Sequence, residues 1–289
     1  MRESRFLNLG DINIHIMIEG ANFPLFILHG GPGLDHHYFG NYLDNLLDEF
    51  KLIFVDLRGN GLSEMGDKSA LTVKQMAKDI SKIAEILKLT EYAVMGHSFG
   101  GFVALEHATM NSKNLKFTVL MNTLHTAFDA SNNECFLKLD KKLLKSIEEN
   151  NKILSETYKN GKNNHLNEET FIKQSFINSL PLYFPTSPHL MNDFIALLDQ
   201  TCISVKTMQI MNSSNYGNYE VLHRLDQIHT NVLIVTSDYD CICNPKHSYD
   251  MHHKIPKSEL HTFRGVGHFP FIEQPSLLAS LIIQFKNNL

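Results

Sequence analysis

A single serine between glycines is the residue of this 289-residue chain whose setting best suits a nucleophile. In Gly96-His97-Ser98-Phe99-Gly100 it follows an apolar run and precedes a helical pattern, which is the context that the G-x-S-x-G motif requires. The glycines allow strand and helix to approach closely, and the helix N-terminus stabilises negative charge developing on a bound substrate. Glycine and serine also form plain turns, and the pentapeptide alone leaves that alternative equally open. The strand-to-helix setting favours a nucleophilic Ser98.

A serine hydroxyl is a weak nucleophile, so it requires a base and an acid that orients the base. Two later strand patterns end in VTSDYD at 235–240 and in FRGVGH at 263–268. The carboxyl ends of strands are where open α/β sheets bind their ligands. His268 is therefore the candidate base among the 16 histidines of the chain, and Asp238 and Asp240 are the candidate acids.

The segment HGGPG at 29–33 also follows a strand pattern. An oxyanion hole needs backbone N–H groups that no side chain obstructs, and Pro32 has no N–H, so a glycine must donate. A plain Gly-Pro turn is the alternative. With the serine motif in the same chain, the segment indicates an oxyanion loop.

Strands must carry these residues to one edge of a sheet. Residues 12–20 place isoleucine at every second position, which predicts a half-buried strand, and Gly10-Asp11 joins it to a preceding strand as an antiparallel hairpin. The segments 24–31 and 51–59 contain continuous apolar runs of strand length, as in a parallel sheet covered on both faces.

Helical patterns alternate with these strands. The clearest spans 71–89, where Thr72 and Gln75 have capping-box spacing, and residues 38–48 also carry apolar residues at helical spacing. Strand and helix in alternation predict an α/β fold, an open and mostly parallel sheet with helices on both faces.

The alternation stops at about residue 125 and resumes at about 229. The intervening stretch is rich in Lys, Asn, Glu and Ser, and it shows helical patterns but no buried-strand run. We expect residues 125–228 to form a helical insertion in a core domain built from 1–124 and 229–289. The Lys-rich helix in this stretch is interrupted by glutamates, which favours a solvated face over a membrane-surface helix.

Composition narrows the classes of partner and compartment. The net charge of −5 and the absence of a basic stripe give no reason to expect nucleic acid. No apolar run approaches the ~20 residues of a membrane-spanning helix, and the first residues lack the apolar segment of a signal peptide. We therefore expect a cytoplasmic protein with no membrane partner. Its substrate would be a small molecule or a short peptide.

The four cysteines are too few and too scattered for a disulfide framework. Cys241-x-Cys243 could suggest a metal site with His247, but no second cysteine pair is present. Buried free thiols are the favoured interpretation, and the chemistry of the serine motif needs neither metal nor cofactor.

Four motifs in this order resemble the α/β-hydrolase superfamily and, within it, the proline iminopeptidase-like group of serine hydrolases. The resemblance spans about 10–125 and 229–289. The matching stretches are His29-Gly30-Gly31-Pro32-Gly33, Asp56-Leu57-Arg58-Gly59-Asn60-Gly61-Leu62-Ser63, Gly96-His97-Ser98-Phe99-Gly100-Gly101 and Gly267-His268-Phe269-Pro270.

This resemblance implies an eight-stranded, mostly parallel sheet, with residues 125–228 as a helical cap that forms the substrate pocket. It also implies roles for individual residues: Ser98 as nucleophile, His268 as general base, and the backbone N–H groups of Gly31 and Phe99 as oxyanion donors. The family pattern G-x-x-D selects Asp240 as the acid, with Ser237 in place of the glycine, and keeps Asp238 as the alternative.

The substrate is less closely specified. Proline iminopeptidases usually carry tryptophan after the nucleophile, where this chain has phenylalanine, and they hold the substrate's amino terminus with glutamates of the cap. The acidic residues of the predicted cap include Glu134, Asp193, Asp199 and Glu220. The two leading interpretations are an N-terminal, prolyl-type aminopeptidase and a carboxylesterase or lactonase; a non-catalytic ligand-binding protein of this fold is a remote third. Epoxide hydrolases and dehalogenases of this fold use an aspartate at the elbow, so Ser98 argues against both.

Overall fold

The computed structural model describes residues 2–127, 134–159, 167–212 and 219–289, and the described strands form one eight-stranded sheet. Their order across the sheet is β1-β2-β4-β3-β5-β6-β7-β8. The strands are β1 (Glu3–Asn8), β2 (Asn13–Glu19), β3 (Phe23–Leu28), β4 (Phe50–Val55), β5 (Tyr92–His97), β6 (Leu115–Met121), β7 (Asn231–Ser237) and β8 (Ser258–Phe263).

The sheet is parallel from β4 through β8, and β1 and β2 extend it as antiparallel strands. The hairpin predicted around Gly10-Asp11 is confirmed, with Leu7 opposite Ile14 in the register. Because the inner strands are covered on both faces, neighbouring residues enter different cores: Phe26 packs in one hydrophobic cluster and Ile27 in the other. The predicted α/β fold with a mostly parallel sheet is confirmed.

Described helices cover both faces of this sheet, and α3 to α7 come between β6 and β7 in chain order. They are α1 (Val73–Ile86), α2 (Phe99–Thr109), α3 (Cys135–Lys138), α4 (Lys141–Lys159), α5 (Glu168–Tyr183), α6 (Met191–Leu198), α7 (Val205–Ile210), α8 (Pro245–Lys254), α9 (Pro270–Glu273) and α10 (Pro275–Asn287).

Helix α1 begins where the sequence predicts. The Thr72 hydroxyl accepts a hydrogen bond from the Gln75 N–H at 3.0 Å, which supplies an acceptor to one of the unpaired donors of the first turn. By contrast, residues 38–48 form two short 3₁₀ turns, His36–Phe39 and Asp44–Leu46, and the predicted helix there is wrong. Gly40 has a φ of 53°, which ends the first turn and redirects the chain.

Helices α3 to α7 lie in the predicted cap segment, whose boundaries stay a prediction. Leu180 and Phe184, at the end of α5, and Phe194 of α6 pack in the core cluster that also contains Phe269. Helix α4 buries Ile147 alone, in keeping with a solvated face. In the described part of the chain, no helix combines the length and apolarity needed to cross a membrane.

The expectation that Cys241 is a buried free thiol is wrong. Cys241 is joined by a disulfide to Cys135, 106 residues earlier, with their Cα atoms 5.1 Å apart. Cys202 and Cys243 are the free cysteines. The disulfide links α3 to the loop that follows β7, so Cys241 is not available as a metal-ligating thiolate.

Candidate active site

Ser98 lies at a sharp turn between β5 and α2. Its φ of 52° and ψ of −119° are values that a residue with a side chain rarely adopts, and such strain clusters at functional sites. The turn is close-packed: a Cβ on Gly96 would overlap the Gly100 carbonyl, and a Cβ on Gly100 would overlap that of Leu28. The glycines of the motif are therefore required by the approach of strand and helix.

Backbone contacts hold this turn in place. The Ser98 N–H donates to the Met121 carbonyl at 3.1 Å, and the Ser98 carbonyl accepts from the Thr123 hydroxyl at 2.7 Å. Both partners lie at or just after the end of β6, the neighbouring strand. The Ser98 side chain is left facing a cavity.

His268 and Asp240 form a buried pair at the same edge of the sheet. The His268 Nδ1 lies 3.0 Å from each carboxylate oxygen of Asp240, and the two residues are 2% and 0% exposed. The carboxylate also accepts the N–H groups of Ile242 and Cys243 at 2.8 Å, which fix its orientation. The carboxylate of the alternative acid, Asp238, instead accepts the Gly265 N–H at 2.7 Å.

A second hydrogen-bonded chain joins the HGGPG loop to His268. The Gly30 N–H donates to the Tyr38 hydroxyl at 2.8 Å, and that hydroxyl donates to His97 Nδ1 at 2.6 Å. His97 Nε2 then donates to the His268 carbonyl at 2.8 Å. Burial, together with the nearby His268, lowers the pKa of His97 well below its ordinary value, so the ring stays neutral and uses both nitrogens. Sequence reasoning missed Tyr38 and His97; the position of His97 inside the serine motif is the one signal that could have found it.

Gly31 and Phe99, the predicted oxyanion donors, belong to the HGGPG loop and to the first turn of α2. Gly31 is on the cavity wall, in a loop fixed by the Gly33 N–H donating to the Asn60 side chain at 2.6 Å. Phe99 is the first residue of α2, so its N–H is at the positive end of that helix. The oxyanion roles of these two amides stay predictions.

The segment DLRGNGLS is hydrogen-bonded to the HGGPG loop. The buried Asp56 accepts from His15 Nδ1 at 2.8 Å and from His36 Nδ1 at 2.6 Å, and these bonds outweigh burial to hold its pKa well below the ordinary value. The fully buried Arg58 binds Asp79 through two hydrogen bonds of 2.8 Å. These contacts indicate a structural role for the segment as the support of the loop.

Ser98 and His268 open on one cavity of about 370 Å³, which residues of α5 and α7 also line. Its described lining is mostly apolar and includes Leu34, Phe102, Leu124, Ile172, Phe176, Ile203, Met208, Ile242 and Phe269. The polar side chains of the lining are Tyr38, His97, Ser98, Tyr183, Asn212, Cys243 and His268.

Cys243 lines this cavity, and the expectation of a buried free thiol is confirmed at this position. Its side chain hydrogen-bonds to Ser98 and is 4% exposed. Burial raises the pKa of the Cys243 thiol well above its ordinary value, and the Asp240 charge adds to this, so the group is a neutral thiol beside the serine.

The acidic residues predicted in the cap lie outside the described lining. Asp199 binds Lys173 at 2.6 Å and Glu220 binds His223 at 2.8 Å. Glu134 lines a separate cavity beside Cys135, and Asp193 is in the first turn of α6. The described cavity wall therefore has no carboxylate with which to hold a substrate amine.

The metal site that Cys241-x-Cys243 and His247 could suggest is not assembled among the described residues. With Cys241 in the disulfide, His247 instead places its Nδ1 3.1 Å from His125 Nε2. Ligand atoms of Asp240, Cys243 and His268 do lie within 4.8 Å of one another, but the carboxylate is already bound by the histidine and two backbone N–H groups.

The sequence model of the alpha/beta hydrolase fold family matches residues 24–275, in agreement with the fold described above. The chain belongs to that family and is a hydrolase. Among similar sequences, a proline iminopeptidase of Lactobacillus delbrueckii subsp. bulgaricus is 26% identical over an alignment of 296 residues, covering 96% of this chain and 95% of the relative. The proline iminopeptidase of Clostridium botulinum is 25% identical and covers 93% and 91%.

Solved structures repeat the fold. An alpha/beta fold family hydrolase from Bacillus anthracis has a TM-score of 0.79 at 20% identity, covering 98% of this chain and 99% of the other. Proline iminopeptidase of Mycobacterium smegmatis has a TM-score of 0.71 at 20% identity, covering 99% and 98%. The esterase EaEST from Exiguobacterium antarcticum has a TM-score of 0.73 at 22% identity, covering 98% and 99%.

Proposed function

We propose that this hydrolase is a cofactor-independent serine hydrolase that cleaves a small carboxylic ester through an acyl-enzyme. The observation that carries the proposal is the strained turn at Ser98, which opens on the same cavity as His268 while His268 binds the buried Asp240. A nucleophile, a base and an orienting acid at one cavity are the components of acyl transfer.

In the proposed first step, His268 Nε2 takes the Ser98 hydroxyl proton while the Ser98 oxygen attacks the substrate carbonyl. The N–H groups of Gly31 and Phe99 donate to the oxyanion of the tetrahedral intermediate. The intermediate then collapses as the C–O bond to the alcohol breaks, and the imidazolium gives its proton to the leaving oxygen. Asp240 accepts the His268 Nδ1–H throughout and stabilises the imidazolium.

Water completes the cycle. His268 removes a proton from a water molecule that attacks the acyl carbon, and the Ser98 oxygen leaves with that proton. The products are a carboxylic acid and free enzyme, so the reaction balances without an external cofactor.

The cavity wall supports an ester with an apolar acyl group. Ile172 and Phe176 of α5 and Met208 of α7 line the cavity, and no carboxylate lies in its described lining. A protonated amine in such a place would be desolvated without a partner, at a cost of several kcal/mol.

An N-terminal aminopeptidase is the second candidate. It is favoured by the likeness to proline iminopeptidases of 25–27% identity over most of the chain. A panel decides between the two: p-nitrophenyl butanoate and hexanoate and a γ-lactone, against the p-nitroanilides of proline and alanine and their N-acetyl forms. Turnover of the esters without need of a free amine supports the esterase. Turnover of the anilides that N-acetylation abolishes supports the aminopeptidase.

A fluorophosphonate probe tests the serine mechanism itself. We expect covalent labelling of the native protein, its loss in Ser98→Ala, and its retention in Ser280→Ala, which changes an exposed serine of α10. Labelling that survives in Ser98→Ala would assign the nucleophile elsewhere. A protein that neither labels nor turns over any member of the panel would be a ligand-binding member of the fold.

A further inference from the structure

Tyr183, the last residue of α5, links the predicted cap to the candidate base. Its ring packs edge-on against His268, with centroids 5.3 Å apart, and stacks on Phe269 at 5.6 Å. Its carbonyl accepts the His268 N–H at 2.8 Å. Backbone and ring together fix where the phenol group sits.

The hydroxyl of this tyrosine has no hydrogen-bond partner within the described ranges 2–127, 134–159, 167–212 and 219–289. Tyr183 lines the cavity that holds Ser98 and His268. Burial raises the pKa of Tyr183 above its ordinary value, and the neighbouring Cys243 and Asp240 add to the shift. The phenol therefore keeps its proton at every pH at which the enzyme would work.

This phenol lines a cavity that water can enter, and a ligand that fills the cavity displaces the water to which the phenol donates. A ligand atom that accepts from it restores that bond. The position of the phenol is close to the reacting centre, because its electrostatic neighbour Cys243 hydrogen-bonds to Ser98.

The predicted cap contributes mostly apolar side chains to the cavity wall around Tyr183. Ile172, Phe176 and Met208 contribute apolar surface, and Asn212 is the other polar side chain that the cap segment gives to the described lining. An acceptor atom that missed Tyr183 would thus face mainly hydrocarbon.

We propose that the Tyr183 hydroxyl donates a hydrogen bond to a second acceptor oxygen of the substrate, and that the enzyme prefers carboxylic esters or lactones carrying an ether, keto or amide oxygen a few bonds from the scissile carbonyl. Tyr183 is a specificity-determining residue in this proposal. The proposal rests on the proposed function for its catalytic form, but the binding contact does not depend on Ser98 being a nucleophile.

The test compares isosteric esters in wild type and Tyr183→Phe, which keeps the ring and removes the hydroxyl. Probes for the acyl half are the p-nitrophenyl esters of pentanoic, 3-methoxypropanoic and ethoxyacetic acids, in which one oxygen replaces a methylene at successive positions. Probes for the alcohol half are butyl and 2-methoxyethyl butanoate.

We expect Tyr183→Phe to lower kcat/KM ~3- to 10-fold for at least one oxygen-bearing ester, mainly through KM, while its methylene isostere changes less than two-fold. For each ester we take the ratio of kcat/KM in wild type to kcat/KM in Tyr183→Phe. The intrinsic reactivity of the ester cancels in this ratio, so the ratios for two isosteres can be compared. Tyr249→Phe, on an exposed tyrosine of α8, is the matched control and should alter neither ratio.

Binding to the Ser98→Ala variant tests the contact independently of catalysis. The oxygen-bearing ester should bind this variant more tightly than its isostere, and Tyr183→Phe in the same background should abolish the difference. Equal effects of Tyr183→Phe on both members of every pair, in turnover and in binding, would overturn the proposal. Slowed fluorophosphonate labelling with a uniform loss would show instead that Tyr183 only positions His268.

Discussion

At the scale of single residues, we expect different losses of kcat/KM on substitution of the two aspartates after β7, although they are only two positions apart. Asp240 faces His268, whereas Asp238 binds the Gly265 N–H. We expect Asp240→Asn to lower kcat/KM by about 10³- to 10⁴-fold, because an amide permits the wrong imidazole tautomer and cannot stabilise the imidazolium. Asp238→Asn is the control and should stay within a few-fold of wild type. Initial rates on a p-nitrophenyl ester measure both, and similar losses in the two variants would contradict the assignment of Asp240.

Gly267, directly before the candidate base, packs so closely against the end of α5 that a side chain would not fit there. A Cβ there would overlap the Tyr183 carbonyl and lie 2.8 Å from the Pro185 ring. Gly267→Ala should therefore displace the His268 loop or α5, lowering the free energy of unfolding by about 1–3 kcal/mol and also kcat.

Gly265→Ala provides the comparison for that change. Its added Cβ would meet nothing within 4 Å, but its φ of 67° strains alanine. We expect lost stability with little change in kcat. Urea unfolding and steady-state kinetics distinguish the two, and an active, stable Gly267→Ala would show that the cap contact is dispensable.

At the scale of elements, α3 is anchored to the loop that carries Asp240. Besides the Cys135–Cys241 disulfide, the Lys138 ammonium donates to the Asp238 carbonyl at 3.0 Å and lies 4.9 Å from the centre of the Tyr239 ring. Cys135→Ser or reduction should lower the free energy of unfolding by about 2–4 kcal/mol, since a long closed loop restricts the unfolded chain.

The matched control is Cys202→Ser, which removes an exposed free thiol. Differential unfolding in urea with and without dithiothreitol measures the effect. Titration of the denatured, unreduced protein should find the thiols of Cys202 and Cys243 alone; four reactive thiols would show that the disulfide does not form.

The elements were predictable from sequence where local pattern decides them. Helix α1 and the inner strands follow from hydrophobic periodicity, and His268 follows from its place after a strand. The 3₁₀ turns at 36–46 were not predictable, because apolar spacing does not reveal a chain reversal at Gly40. The Cys135–Cys241 pairing and the Tyr38–His97 contact, 59 positions apart, depend on tertiary packing and leave no local signature.

At the scale of the whole molecule, buried neutral histidines make the free energy of unfolding depend on pH. Burial lowers the pKa of His107 from 6.5 to about 4, and the ring donates to the Ala77 carbonyl and accepts from the Tyr92 hydroxyl, each at 3.0 Å. The unfolded chain binds this proton between pH 6.5 and 4 and the folded chain does not, so stability falls as the pH falls through that window.

Each such histidine contributes a slope of up to about 1.4 kcal/mol per pH unit inside that window. His107→Gln, which can keep both hydrogen bonds, should unfold with a shallower pH dependence than wild type. Urea unfolding at pH 7.5, 6 and 5 measures the difference. Identical slopes for the two proteins would contradict the role of His107, and His107→Phe controls for the loss of the hydrogen bonds themselves.

The disulfide also determines how the molecule would respond to a protease. Cys135 and Cys241 enclose most of the predicted cap, so a single cut anywhere between them leaves the two fragments covalently joined. The cleaved protein would run as one band on a non-reducing gel and as two bands after reduction. Fragments carrying Ser98 and His268 would stay tethered, and a nicked cap would not by itself release either half of the candidate site.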